Sequence, residues 1–148
     1  MLVELASLEL NWLRRRHDKS IPLPRVAIDD SLLYTGLYCW PCAEEHPVDG
    51  ELVPLDRGLI VLSTAWIHSD AEAGAALAHE WRHHQQFHAG WRLGEMAAWN
   101  PDGEGYETAI YRYFTENPKE TDALLFEMAA SPAPHHEYYM DIIRGEWT

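Results

Sequence analysis

No stretch of this chain approaches the roughly 20 consecutive apolar residues that carry a helix across a bilayer. The longest uncharged run, Gly58 to Ile67, is of strand length. A membrane span is therefore not expected. Cysteine is scarce, with 2 residues in 148, too few for a disulfide framework. Positive charge is scarce too: 11 Lys and Arg stand against 24 Asp and Glu, for a net charge of −13. Residues 1–25 hold 5 basic and 3 acidic side chains, leaving 6 basic against 21 acidic in the rest. An acidic body of this kind repels phosphate backbones and argues against a nucleic-acid partner. Arg14-Arg15-Arg16 reads as a solvated helix end. The first residues carry acids at Glu4 and Glu9 and no basic start, so no secretory signal is expected and the setting reads as cytoplasmic.

What the chain does have is apolar substance. Hydrophobic residues make up 47% of it and seven are Trp, enough for one folded domain over residues 1–148. Leu5, Leu8, Trp12 and Leu13 recur at helical spacing, predicting a helix from residue 3 to about 17. Val26 and Ile28 alternate with polar neighbours, predicting a strand from Arg25 to Leu33. Leu37 to Pro54 is turn-rich, and its sequence fixes no structure. Gly58 to Trp66 is the clearest strand, followed by Ser69 or Asp70 as a helix N-cap. An alanine-rich helix then runs to about Phe87 and stops at Gly90. Gly94 to Gly105 is a polar connection. Tyr106 to Glu116, Pro118 to Ala130 and His135 to Arg144 read as three further helices. The order gives an α+β fold with its sheet in the first half.

The alanine-rich helix carries His79-Glu80-Trp81-Arg82-His83. Residues four apart share one helix face, so His79 and His83 can offer two imidazoles to one metal ion. Glu80 projects near that face, where it can take a proton from a water on the metal. Trp81 is expected in the core. His84 and His88 form a second pair on a rotated face and read as surface residues or as partners of the ligands. A catalytic zinc needs a third protein ligand and an open position. The pattern with a third histidine six residues on fails, because that position is Ala89 and position 86 is Gln86 rather than glycine.

Cys39-Trp40-Pro41-Cys42 invites other chemistry. A C-x-x-C pair can cycle as a dithiol or form half of a zinc site, with His46 as a further donor. No second pair and no βαβ context accompany it, and a turn bearing two thiols is the simpler reading.

With H-E-x-x-H on a helix, the chain resembles the zincin metallopeptidases. Glu120-Thr121-Asp122-Ala123-Leu124-Leu125-Phe126 is similar to the E-x-[EQ]-A-D-x-[FL] segment of small gluzincins, and the match covers roughly residues 58 to 127. The resemblance implies a zincin-like fold, one zinc ion (Zn2+) per chain held by His79, His83 and Glu120, and hydrolysis of a peptide or protein substrate with Glu80 as general base. It places the strand at 59–65 on the sheet edge above the motif helix. Where those families carry an aspartate that orients a ligating histidine, this chain has Leu124, so that role falls to another residue or is absent. Glu116 and Glu127 are rival carboxylates for the third ligand, and Glu120 also fits a capping box behind Asn117-Pro118. Tyr106, Tyr111, His135, His136 and Tyr138 are candidate donors to an oxyanion. The alternative is a non-catalytic, zinc-stabilised interaction module.

Overall fold

A computed structural model of the chain describes residues 2–92, 99 and 101–145. It opens with helix α1 (Leu2–His17), then five short strands: β1 (Arg25–Ile28), β2 (Gly36–Cys39), β3 (Glu45–Val48), β4 (Glu51–Pro54) and β5 (Leu59–Leu62). Five helices follow: α2 (Asp70–His88), α3 (Pro101–Glu104), α4 (Tyr106–Thr115), α5 (Pro118–Ala130) and α6 (His135–Ile143). The architecture is α+β, with its strands in the first half. Among the described residues, no helix is long and apolar enough to cross a membrane.

The strand expected from Gly58 is the centre of a three-stranded sheet of order β1-β5-β2, not its edge. β1 runs parallel to β5, with Val26 opposite Ile60. β2 runs antiparallel, with Tyr38 opposite Ile60. All four β5 side chains are buried because both faces are covered. Ile60 and Leu62 face α1 and α2, packing with Leu10, Leu13, Leu77 and Trp81. Leu59 and Val61 face the other way, onto Val48 and Val53 of the β3–β4 ribbon and Leu55 just beyond it. Trp81 is fully buried, as the sequence suggested, and truncating it to alanine would cost about 3–5 kcal/mol.

Three differences from the sequence reading have physical causes. The buried stripe of α1 is Ala6, Leu10 and Leu13, while Leu5, Leu8 and Trp12 are exposed. The two stripes are neighbours on the helix, and the one bearing the small Ala6 faces the core. β1 stops at Ile28 because Asp29 and Asp30 turn the chain. Asp29 Oδ1 accepts from the Ser31 amide at 2.9 Å, and Asp30 Oδ1 from the Thr64 amide at 2.7 Å. The turn-rich Leu37–Pro54 stretch holds three strands. β3 and β4 pair with Val48 opposite Glu51, so Asp49-Gly50 is a two-residue hairpin loop. Both loop residues have positive φ, 49° and 83°. Asp-Gly between alternating apolar residues is a strong hairpin signal, and it was there to be read.

The helix boundaries follow their capping chemistry. Ser69 caps α2 by accepting from the Glu72 amide, and Glu72 accepts in turn from the His68 amide at 2.8 Å. Gly90, at φ 87°, ends that helix with its amide on Phe87 O. The start of the Gly94–Gly105 connection lies outside the described residues, and its last part holds α3. α4, α5 and α6 gather around Ile110, Phe114, Leu124 and Ile142.

Candidate metal centre

α2 and α5 lie against each other, and the motif face of α2 meets the face of α5 that carries Glu120 and Glu127. His79 Nε2 lies 2.9 Å from Glu120 Oε2, and His83 Nε2 lies 2.8 Å from Glu120 Oε1. Each of the three residues offers a ligand atom within 4.8 Å of the others, a group able to hold a metal ion. Glu120 is buried and spends both oxygens on the imidazoles, so its carboxylate does not cap its own helix.

The far sides of both rings are held as well. His83 Nδ1 is 2.9 Å from Gln86 Oε1. The other end of that amide, Nε2, donates to Lys119 O at 3.0 Å and Asp122 Oδ2 at 2.8 Å. Two acceptors on one side fix which end is the NH2, so the oxygen faces His83 and the His83 proton sits on Nδ1. Asp122 is itself gripped by Arg82, with Nε to Oδ2 at 2.8 Å and Nη2 to Oδ1 at 3.2 Å. His79 Nδ1 lies 2.9 Å from Glu127 Oε1. Glu127 stands seven residues after Glu120, two turns along the same face of α5. It therefore holds the His79 ring from its Nδ1 side, a role that position 124 does not fill. Leu124 is instead buried among Ile110, Phe114 and Ile142. With both Nδ1 atoms donating outwards, both Nε2 atoms point at Glu120, a contact made by a proton on each Nε2 that a metal ion would have to displace.

The electrostatics follow from burial and pairing. Burial works against a charged His79, yet hydrogen bonds to Glu120 and Glu127 outweigh it and raise its pKa well above the usual value. His83 moves the same way, with Glu120 overcoming burial. Burial alone would raise Glu120 and Glu127, but the imidazoles bonded to them hold both below the usual carboxylate range. Glu80 differs. Burial raises its pKa, and the neighbouring His79 and His83 only partly offset this. Among the described residues, no side chain donates a hydrogen bond to it, and it packs against β2 at Gly36.

The remaining candidates separate cleanly. Glu116 is exposed at the end of α4 and pairs with Arg112 at 3.4 Å, away from the imidazoles. Tyr106, Tyr111 and Tyr138 are exposed, and the Tyr138 hydroxyl donates to Glu107 at 3.2 Å. His135 and His136 face Glu127. The phenol at this centre is one the sequence reading passed over. It is Tyr113, whose pKa is pushed well up by burial, reinforced by the charges of nearby Glu120 and Glu80. Its place one turn from buried Ile110, beside Phe114, was the available signal.

His84 is not a surface residue. It is fully buried, its Nε2 donating to Pro22 O at 2.8 Å and its Nδ1 accepting from the Tyr38 hydroxyl at 2.5 Å. His88 is exposed. Cys39 is half-buried, and burial, aided by the charge of Glu80, pushes its thiol up to about 11. A thiol so far from ionising is a poor redox nucleophile. Among the described residues, His46 joins no metal-binding group with the two cysteines.

Comparison with known protein families, with curated proteins and with solved structures finds no match for this chain.

Proposed function

We propose that the protein is a zinc-dependent peptidase of zincin-like fold, with His79, His83 and Glu120 as ligands and Glu80 as general base. The observation that carries this reading is the carboxylate of Glu120 meeting both Nε2 atoms of the motif. The donor set fits the ion. Protons on the two Nε2 atoms bridge them to Glu120, and a dication can displace those protons and take both nitrogens and the carboxylate as ligands. Glu80, Glu120 and Glu127 are also three buried carboxylates, with 7%, 5% and 6% of their surface exposed. The imidazoles bonded to Glu120 and Glu127 compensate part of that buried charge, and a dication beside Glu80 would compensate more.

Zinc held there supplies Lewis acidity and lowers the pKa of a water. Glu80 accepts the proton of the attacking water, and its raised pKa brings it nearer the working range of a base at neutral pH. Tyr113 donates towards the oxygen on which negative charge develops. The substrate lies along β2, since β2 and not β5 is the sheet edge beside Glu80. An extended peptide added to that edge is held by main-chain hydrogen bonds and brings its carbonyl over Glu80.

Glu80 favours an enzyme over a zinc-stabilised module, because a buried carboxylate beside the ligands that binds no donor is costly for a structural site. Metal analysis of the purified protein should find about one zinc per chain. Glu80→Gln should keep that zinc and lose cleavage of a quenched-fluorescent peptide by several orders of magnitude. Absence of zinc, with none taken up at neutral pH, would refute the reading; full zinc with cleavage unaffected by Glu80→Gln would refute the mechanism.

A further inference from the structure

Glu127, His135 and His136 form a second group whose ligand atoms lie within 4.8 Å of one another. The hydrogen bonding of His136 decides whether this is a second metal site. Its Nδ1 accepts from the Ala133 amide at 3.0 Å. Ala133 sits between Pro132 and Pro134, neither of which has an N–H, so its amide is the only backbone donor of that segment. A neutral imidazole that accepts at Nδ1 carries its proton on Nε2. That Nε2–H points at Glu127 Oε2, and His135 Nε2 approaches the same oxygen at 3.3 Å. A metal ion at His136 Nε2 would need the lone pair that this proton occupies. The group is therefore not built as a second metal site.

It is built as a brace. We propose that His136 is a positioning residue for the metal ligand His79, acting through Glu127, an inference that rests on the zinc reading above. The chain of donors runs in one direction. The Ala133 amide fixes the His136 tautomer, and His136 Nε2–H fixes Glu127 Oε2. Glu127 Oε1 then accepts the His79 Nδ1 proton at 2.9 Å, leaving the Nε2 atom of His79 turned towards Glu120, where a zinc ion would take it as a ligand. Both His136 and Glu127 are buried, at 7% and 6% exposed, so water cannot readily take over either bond. The α5–α6 turn, far from the motif in sequence, thereby sets the ring orientation of a ligand on α2. His135, half-buried and at longer range, adds to the brace without controlling it.

The test has two arms on the full chain. Long-range 1H–15N spectra report which nitrogen of each histidine carries the proton, with or without zinc. His136 should be the Nε2–H tautomer, and finding it as Nδ1–H overturns the proposal. Competition titration against a zinc chelator should show His136→Phe weakening affinity about tenfold to a hundredfold. His136→Gln, which keeps a donor within reach of Glu127, should recover most of the loss. Because His136 acts through Glu127, Glu127→Gln with His136→Phe should bind zinc no more weakly than Glu127→Gln alone. Additive losses, or parent-like affinity in His136→Phe, overturn the brace. A parent protein that binds no zinc refutes the zinc reading instead, and the tautomer spectrum still decides the brace.

Discussion

Gly36 on β2 and Glu80 on α2 pack so closely that a Cβ on Gly36 would lie 3.2 Å from Glu80 Cγ and 3.4 Å from Oε1. The glycine has an ordinary backbone conformation, so space rather than φ is what requires it. Gly36→Ala should fold and bind zinc like the parent, because no ligand moves. The carboxylate must shift by a few tenths of an ångström, and catalysis is sensitive to such displacements. We expect kcat to fall about tenfold with zinc content unchanged. Parent-like turnover would show that the position of Glu80 is not set by β2.

The three neighbouring glutamates should separate by affinity. Glu120→Gln replaces a ligand, and zinc affinity should drop by orders of magnitude. Glu127→Gln removes the acceptor behind His79, with an expected loss of tenfold to a hundredfold. Glu116→Gln touches only the ion pair with Arg112 and should bind zinc as the parent does. If Glu116→Gln or Glu127→Gln proved worse than Glu120→Gln in the same competitive titration, the ligand assignment would be wrong.

How much of this was legible beforehand depends on whether the signal was local. Helical periodicity and caps marked α1, α2, α4, α5 and α6, since each end is written in nearby residues such as Ser69, Gly90 and Pro118. The gathering of His79, His83 and Glu120 was expected from the motif and from a resemblance. The supports were not legible in the same way. Glu127 reaches His79 across 48 positions, and His136 reaches Glu127 only because a Pro-Ala-Pro turn brings α6 back. Nothing in the local pattern of either residue marks that contact. The placing of β5 at the edge overlooked a signal that was present. Leu59-Ile60-Val61-Leu62 is unbroken apolar rather than alternating, the mark of a strand covered on both faces.

The cysteines should prove dispensable. The Cys39 thiol is protonated at neutral pH, its pKa raised to about 11 by burial, and Cys42 is exposed. Trp40 between them has a packing task, its ring lying 5.3 Å from Phe87 and 4.5 Å from the Lys119 ammonium. Cys39→Ser and Cys42→Ser should therefore leave zinc content and peptide cleavage within about twofold of the parent, with chelators still abolishing cleavage. A cysteine variant that folds but loses zinc would bring this loop into the metal centre.

His84 should give the protein a step in acid stability. Burial lowers its pKa from 6.5 to about 4, although its bond to Pro22 O works the other way. Trp81 stacks near its ring, His88 adds a repelling charge, and Tyr38 donates to its only lone pair. Protonation would put a proton on Nδ1 and break that last contact unless the Tyr38 hydroxyl turned round. The sign follows from which state binds the proton. Between pH 6.5 and about 4 the unfolded chain takes up a proton at this position and the folded chain does not. Stability is therefore full above the unfolded value, falls as pH drops through the interval and levels off below about 4, a loss of roughly 3 kcal/mol. Glu120 and Glu127, held low by their imidazoles, add a separate loss that begins as pH falls through the ordinary glutamate range. In denaturant unfolding between pH 7.5 and 5, with chelator present so that zinc release does not contribute, His79 and His83 oppose the loss, because their raised values favour the folded chain as pH falls through the ordinary histidine range. The difference between parent and a His84 variant isolates the His84 step. His84→Asn should start less stable at pH 7.5 and lose much less than the parent on going to pH 5. Equal losses in the two proteins would mean that His84 is not the group responsible.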